Sequence, residues 1–226
     1  MSPPEPASVL VVTAVPAEAR AVRTGLDGAG LTAETWSVVP VGVGPAAAAA
    51  GTARLLAKAE AAGTGYRAVI SAGVAGGFPD RVEVGTLVLA TRSVAADLGA
   101  ESPDGFLPID ELGMTPEQLR GGGAVTADPT LSGALATALP SATAGVILTV
   151  NTVTGTVRTT QALRARHPDA VAEAMEGYGV GVAAAQAGVP FAELRAISNP
   201  IGPRDRAAWR LADALAALTE AAAALA

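Results

Sequence analysis

Short runs dense in Val, Ile and Leu alternate along this chain with alanine-rich stretches of helical length. The apolar runs are continuous rather than alternating, the pattern of strands covered on both faces by crossover helices. Strands are expected near residues 9–14, 35–43, 68–72, 86–94, 144–150 and 191–197. Helices are expected at 16–26, 45–62, 129–139, 157–167, 176–186 and 206–225. Pro16 and Pro45 fall where a first-turn proline is tolerated, because the N–H it lacks has no intrahelical partner there. The expected architecture is one α/β domain over residues 9–226, preceded by a short, Pro-rich, flexible N-terminus at 1–8.

Residues 95–128 depart from this rhythm. Pro103, Asp104, Gly105, Pro108 and the glycines at 121–123 break any regular period, so a long loop with one helical turn is expected. Loops of that length in a compact domain usually serve function, which makes this one a candidate substrate lid or subunit contact.

Composition narrows the chemistry. With 226 residues and 50% hydrophobic content the chain can bury a large core. A net charge of -6 without any block of Lys or Arg gives no footprint for nucleic acid or an anionic membrane. The apolar runs fall well short of the roughly 20 residues that span a bilayer, and the N-terminus has no signal-peptide pattern, so a cytoplasmic address is expected. There is no cysteine, which removes disulfides and thiolate chemistry. The single histidine, His167, is expected at a helix end and cannot build a metal site alone. Carboxylates, amides and hydroxyls must carry any chemistry.

Several motifs have both a structural and a functional reading. The stretch Gly42, Val43, Gly44, Pro45, Ala46, Ala47 imitates a dinucleotide fingerprint, but residues 68–72 lack the acidic partner such a site needs, so a tight turn is favoured and no cofactor is expected. The glycines at 73, 76 and 77 imply close backbone approach, and the Phe78, Pro79, Asp80 that follow argue against a phosphate cradle. Glu18 sits in a helix first turn, where the dipole favours a negative charge, and also at a strand end, where a base on water would sit. Glu176 is either a helix N-terminal charge or a carboxylate whose partners are ligand hydroxyls. Asn199, before Pro200, is either a turn residue or an amide that can both donate to and accept from a purine edge. Arg195, in an apolar strand, needs an anionic or carbonyl partner if buried. Trp209 is expected on the final helix, packed in the core or lining a pocket.

Taken in order, these motifs resemble the nucleoside phosphorylase and nucleosidase superfamily, which includes methylthioadenosine and adenosylhomocysteine nucleosidases. The resemblance rests on Thr13, Ala14, Val15, Pro16, Ala17, Glu18; on Gly42, Val43, Gly44; on residues 72–77; on Ala174, Met175, Glu176, Gly177; and on residues 195–199. It implies a single-domain α/β fold with a twisted mixed central sheet flanked by helices, acting without a cofactor or metal on a small nucleoside as a homodimer or higher homo-oligomer. Carried over by position, it implies that Glu18 activates water, Glu176 holds the ribose hydroxyls and Met175 packs beneath the sugar. It further places the backbone of Val153 and Thr154 against the purine and Arg195 near the attacking water, with Gly76, Ser198 and Trp209 as further contacts.

Departures from the family pattern sharpen this. Where phosphorylase relatives carry an Arg and a Ser for phosphate, this chain has Ser71 and Val74, which implies hydrolysis. Where adenine-specific nucleosidases have an aspartate, this chain has Asn199, which can donate to O6 and accept from N7–H of a departing hypoxanthine. The implied reaction releases that 6-oxopurine from a nucleoside with an aryl carboxylate tail, for which Arg204, Arg206 and Trp209 are candidate contacts. The rival readings are an adenine nucleosidase, a nucleoside phosphorylase and a catalytically silent nucleoside-binding protein.

Overall fold

The computed structural model describes residues 8–119 and 121–225. Of the expected flexible N-terminus, residues 1–7 lie outside the described residues, while Ser8 already belongs to the first strand. In chain order the elements are β1 (Ser8–Thr13), α1 (Pro16–Gly28), β2 (Trp36–Pro40), α2 (Pro45–Ala61), β3 (Tyr66–Gly77) and β4 (Leu87–Ala95). Then come β5 (Gly99–Ser102), β6 (Gly105–Pro108), α3 (Pro116–Leu119), β7 (Ala124–Thr126), α4 (Pro129–Ala138) and β8 (Thr143–Thr149). The chain continues through α5 (Val157–Arg166), β9 (Ala170–Ala174), α6 (Gly177–Gln186), β10 (Phe191–Pro200) and α7 (Leu211–Ala223).

Eight strands form one mixed sheet in the order β10-β4-β8-β9-β3-β1-β2, with β7 on β4. Because β10 also pairs with β3, the pairings β10-β4-β8-β9-β3 close on themselves. β3 makes this possible by its length: its first half lies beside β1, and its last residues, Gly76 and Gly77, pair with β9, while β10 runs along nearly all of it. The expected twisted mixed sheet flanked by helices is therefore present and, through β3, partly closed.

Both sheet faces are buried, which explains why the strands read as continuous apolar runs. Val9 and Val11 of β1 point into a cluster with Val22 and Leu26 of α1 and with Ala221 and Ala222 of α7. Their neighbours Leu10 and Val12 point the other way, into a cluster with Leu56 of α2 and Val180 of α6. Alternate residues thus serve opposite cores. Helix starts follow local chemistry: Asp128 accepts from Leu131 N–H at 2.8 Å to cap α4, and Thr156 accepts from Thr159 N–H at 3.1 Å to cap α5. Such caps contribute about 1 kcal/mol each.

Four expectations need correction. Residues 95–128 are not a loop with one helical turn, because β5 and β6 form a hairpin turning at Pro103 and Asp104, with Gly105 opening β6 at φ +124°, and a 3-10 turn, α3 and β7 follow. Asp110 then accepts from Gly123 N–H at 2.9 Å, tying the segment back on itself. The strand expected at 35–43 stops at Pro40, since Gly42 and Gly44 take φ of +105° and +91° to turn the chain into α2. β9 was not among the expected strands, because five residues of Ala, Val and Glu carry little β propensity and only pairing holds them extended. The helix expected at 206–225 breaks into a 3-10 turn at Arg206–Ala208 and α7, with Trp209 between them, so Trp209 is not on the final helix.

Candidate active site

At the C-terminal ends of β1, β3 and β9 lies a buried cluster of charge. Glu18, in the first turn of α1, is only 4% exposed and is held by three backbone donors: Ala14 N–H at 3.0 Å, Val15 N–H at 3.1 Å and Val74 N–H at 2.9 Å. Glu18 thus sits where the helix-terminal reading puts it, and its carboxylate also bridges the start of α1 and the end of β3. Glu176 precedes α6 and accepts from Gly44 N–H at 3.2 Å, so the turn after β2 meets the start of α6.

Arg195 of β10 joins these groups. It is 1% exposed and donates to Glu193 at 2.8 Å, Glu176 at 3.2 Å and the Ser71 hydroxyl at 3.1 Å. Burial opposes the guanidinium charge, but Glu193, Glu176 and Glu18 outweigh it and hold Arg195 above its ordinary pKa. The crowding fixes residue 73 as glycine, since a Cβ there would lie 2.7 Å from both Arg195 Nη1 and Glu18 Oε1. Glu193 is fully buried; desolvation pushes its carboxyl up, countered by Arg195 and by the hydroxyl of Ser93, which donates to it. Three carboxylates around one guanidinium leave a negative excess, which suits a centre where positive charge develops on a sugar and disfavours phosphate.

Further along β10 a cavity of about 90 Å³ opens beside Asn199, lined also by Gly76, Val153, Thr154, Glu173, Arg204 and Trp209. Ser198 Oγ donates to Asn199 Oδ1 at 2.8 Å, and Asn199 Nδ2 donates to the Pro200 carbonyl at 2.9 Å. These contacts fix which end of the amide is which and leave one N–H and one lone pair free. An ionised aspartate in this seat would turn an oxygen towards the Pro200 carbonyl, so the local backbone favours the amide. A bulge in β10 between Ile197 and Asn199 sets Asn199 opposite Gly76 of β3.

Arg204 lies over the Trp209 ring at 5.4 Å, and Trp209 is 38% exposed on the cavity wall rather than in the core. Arg206 does not line the cavity. Met175 is half-buried next to Glu176 and is not among the lining residues. Val153 is exposed at the rim, whereas Thr154 is buried and spends its backbone N–H, at 2.7 Å, and its hydroxyl on Glu173. Burial pushes the Glu173 carboxyl up, partly countered by the two Thr154 donors. Among the described residues no group of three or more His, Asp or Glu is placed to hold a metal.

Glu193 and Glu173 escaped the sequence reading. The first had a signal: Glu193 and Arg195, two apart in a strand, must share one face. Glu173 had none while β9 went unrecognised.

A model of the Phosphorylase superfamily matches residues 15–226. The futalosine hydrolase of Streptomyces coelicolor is 49% identical, covering 94% of this chain and 92% of that protein. Among solved structures, futalosine hydrolase of Helicobacter pylori superposes with a TM-score of 0.80 at 17% identity, covering 97% of each chain. The methylthioadenosine/adenosylhomocysteine nucleosidase of Neisseria meningitidis, solved with methylthio-immucillin-A, gives a TM-score of 0.80 at 21% identity, covering 97% of this chain and 98% of that one. On the extent of the family match and the identity to the Streptomyces coelicolor protein, the chain belongs to the phosphorylase superfamily and, within it, to the futalosine hydrolase family.

Proposed function

We propose that this protein hydrolyses the N-glycosidic bond of futalosine, releasing hypoxanthine and leaving dehypoxanthine futalosine, a step of the alternative menaquinone route. The observation that carries this reading is the amide of Asn199, oriented by Ser198 and Pro200 on a cavity wall that also holds Gly76 and Thr154. An amide so placed donates to O6 and accepts from N7–H as the base departs.

The charged cluster serves the sugar. Glu18 activates the water, Glu176 holds the ribose hydroxyls, and Arg195 keeps Glu176 in place. Met175 packs beneath the ribose, next to Glu176. As the C–N bond breaks, the ribose becomes oxocarbenium-like, and the local negative excess stabilises it. Phosphate would meet the same excess and be repelled, which supports hydrolysis over phosphorolysis. Arg204 and Trp209 stand at the base end of the site, a placement that supports a role at the purine rather than at the aryl carboxylate tail.

The protein works in the cytoplasm as a homo-oligomer. No described helix is long and apolar enough to cross a membrane, and Leu98, Leu107 and Met114 expose apolar surface around the β5–β6 hairpin. To test the function, the protein is incubated with futalosine, inosine and methylthioadenosine, with and without phosphate, and free base is followed by chromatography. Phosphate-independent hypoxanthine from futalosine is the expected result; equal release of adenine from methylthioadenosine overturns it.

A further inference from the structure

We propose that Glu173 is a second specificity-determining residue of this site, taking the N1–H of a 6-oxopurine from the side opposite Asn199. The inference rests on the hydrolase reading above and deepens it. Gly76 of β3 pairs with Glu173 of β9 on one flank and with Asn199 of β10 on the other. Two strand spacings therefore separate the carboxylate and the amide, about 10 Å between their α-carbons. Both line the same cavity. The residue between them has no side chain, and a Cβ at Gly76 would come within 2.6 Å of Ile201. Ile201 thus covers Gly76 and helps to line the cavity that the carboxylate and the amide share.

Glu173 has unmet capacity there. Its two oxygens each accept one bond from Thr154, which leaves each with a further lone pair. It is 4% exposed, and no cation pairs with it among the described residues. A buried carboxylate without a cation is costly unless donors meet it, and a ligand N–H is a suitable donor. The Thr154 N–H is already committed to Glu173, so a base reaching this wall finds a carboxylate acceptor in place of that backbone donor. Hypoxanthine presents N1–H to it. Adenine presents an N1 lone pair, which faces the carboxylate oxygens unfavourably, so Glu173 rejects the 6-amino base independently of Asn199.

The test compares wild type with Glu173→Gln, whose amide can still serve both Thr154 groups and can donate to an N1 lone pair. The ratio of kcat/KM for futalosine over that for its 6-amino counterpart should fall roughly 10- to 100-fold in the variant. Competitive inhibition by hypoxanthine and by 1-methylhypoxanthine is measured alongside, with a thermal melt to confirm folding. Methylation at N1 should weaken inhibition of the wild type by a larger factor than it weakens inhibition of the variant. A folded variant with an unchanged ratio and an unchanged methylation penalty overturns the proposal. If Glu173→Gln does not fold, Glu173→Ala, which removes the carboxylate acceptor altogether, is put through the same comparisons, with the same outcomes deciding. Should wild type release no hypoxanthine from futalosine, the hydrolase reading fails, while the two inhibitors, which need only bind, still decide the role of Glu173.

Discussion

The two ends of the site are held in opposite ways. Around Arg195 the polar groups are closed on one another: Glu18 is filled by three backbone N–H groups, and Arg195 is shared among Glu193, Glu176 and Ser71. Around Asn199 the partners are fewer, and both the amide and Glu173 keep valences free towards the cavity. On the proposed function, the difference divides the site into a part for chemistry and a part for selection. A charged cluster that must stabilise a fleeting cation gains from being rigid beforehand, whereas a surface that distinguishes bases must leave its donors and acceptors for the ligand.

The largest break in this contrast should come from Glu18→Gln. The shape survives, but the proposed base is gone and the new NH2 faces at least one of the three backbone N–H donors, so kcat should fall by about 10² to 10⁴ and the folded variant should lose about 1 to 3 kcal/mol of stability. Hypoxanthine release by chromatography measures the first and a thermal melt the second; near wild-type turnover would remove Glu18 from its role. Next in size is Glu193→Ala, which strips Arg195 of one buried partner. Breaking a buried ion pair from one side should cost about 3 to 5 kcal/mol of stability, read by urea denaturation. A loss under 1 kcal/mol would mean that the cluster is far looser than its geometry.

Asn199→Asp addresses the other end. Turnover of futalosine should drop roughly 10- to 100-fold, with stability changed much less than by Glu193→Ala, because the residue is only half-buried and its seat is partly open. A variant that keeps its turnover would take base selection away from Asn199. The smallest effect concerns pH. Burial raises the Glu173 pKa above the ordinary carboxylate value of 4.5, so its contribution to stability is full below that value and is lost as pH rises through the raised one. The melting temperature of Glu173→Gln relative to wild type should therefore increase with pH across that window, and a pH-independent difference would contradict the shift.

The closed end was the more legible in sequence. Glu18, Glu176 and Arg195 stood out because charge in apolar stretches at strand ends demands an explanation, and the structure brings all of them together. The helix starts were equally plain where a first-turn proline marks them, as at Pro16 and Pro45. What did not show was pairing. β9 exists because β8 and β3 hold it, and no local propensity announces it, so Glu173 remained hidden. The hairpin of β5 and β6 was concealed for the same reason, its prolines and glycines reading equally well as a loop. Trp209 was misplaced because residues 206–225 have uniform helical composition, while the cap supplied by Asp205 and the break after Ala208 depend on tertiary fit.

The bulge at Ser198 has a consequence for how such enzymes can diverge. It turns the end of β10 so that one position, carried on a strand fixed by its neighbours on both sides, lines the cavity. On the proposed function, preference for one purine over another can therefore shift by exchanging side chains at the cavity wall, Asn199 and Glu173, without relaying any backbone and without touching the charged cluster around Arg195. A lineage could try new nucleosides one codon at a time while the older chemistry is inherited intact.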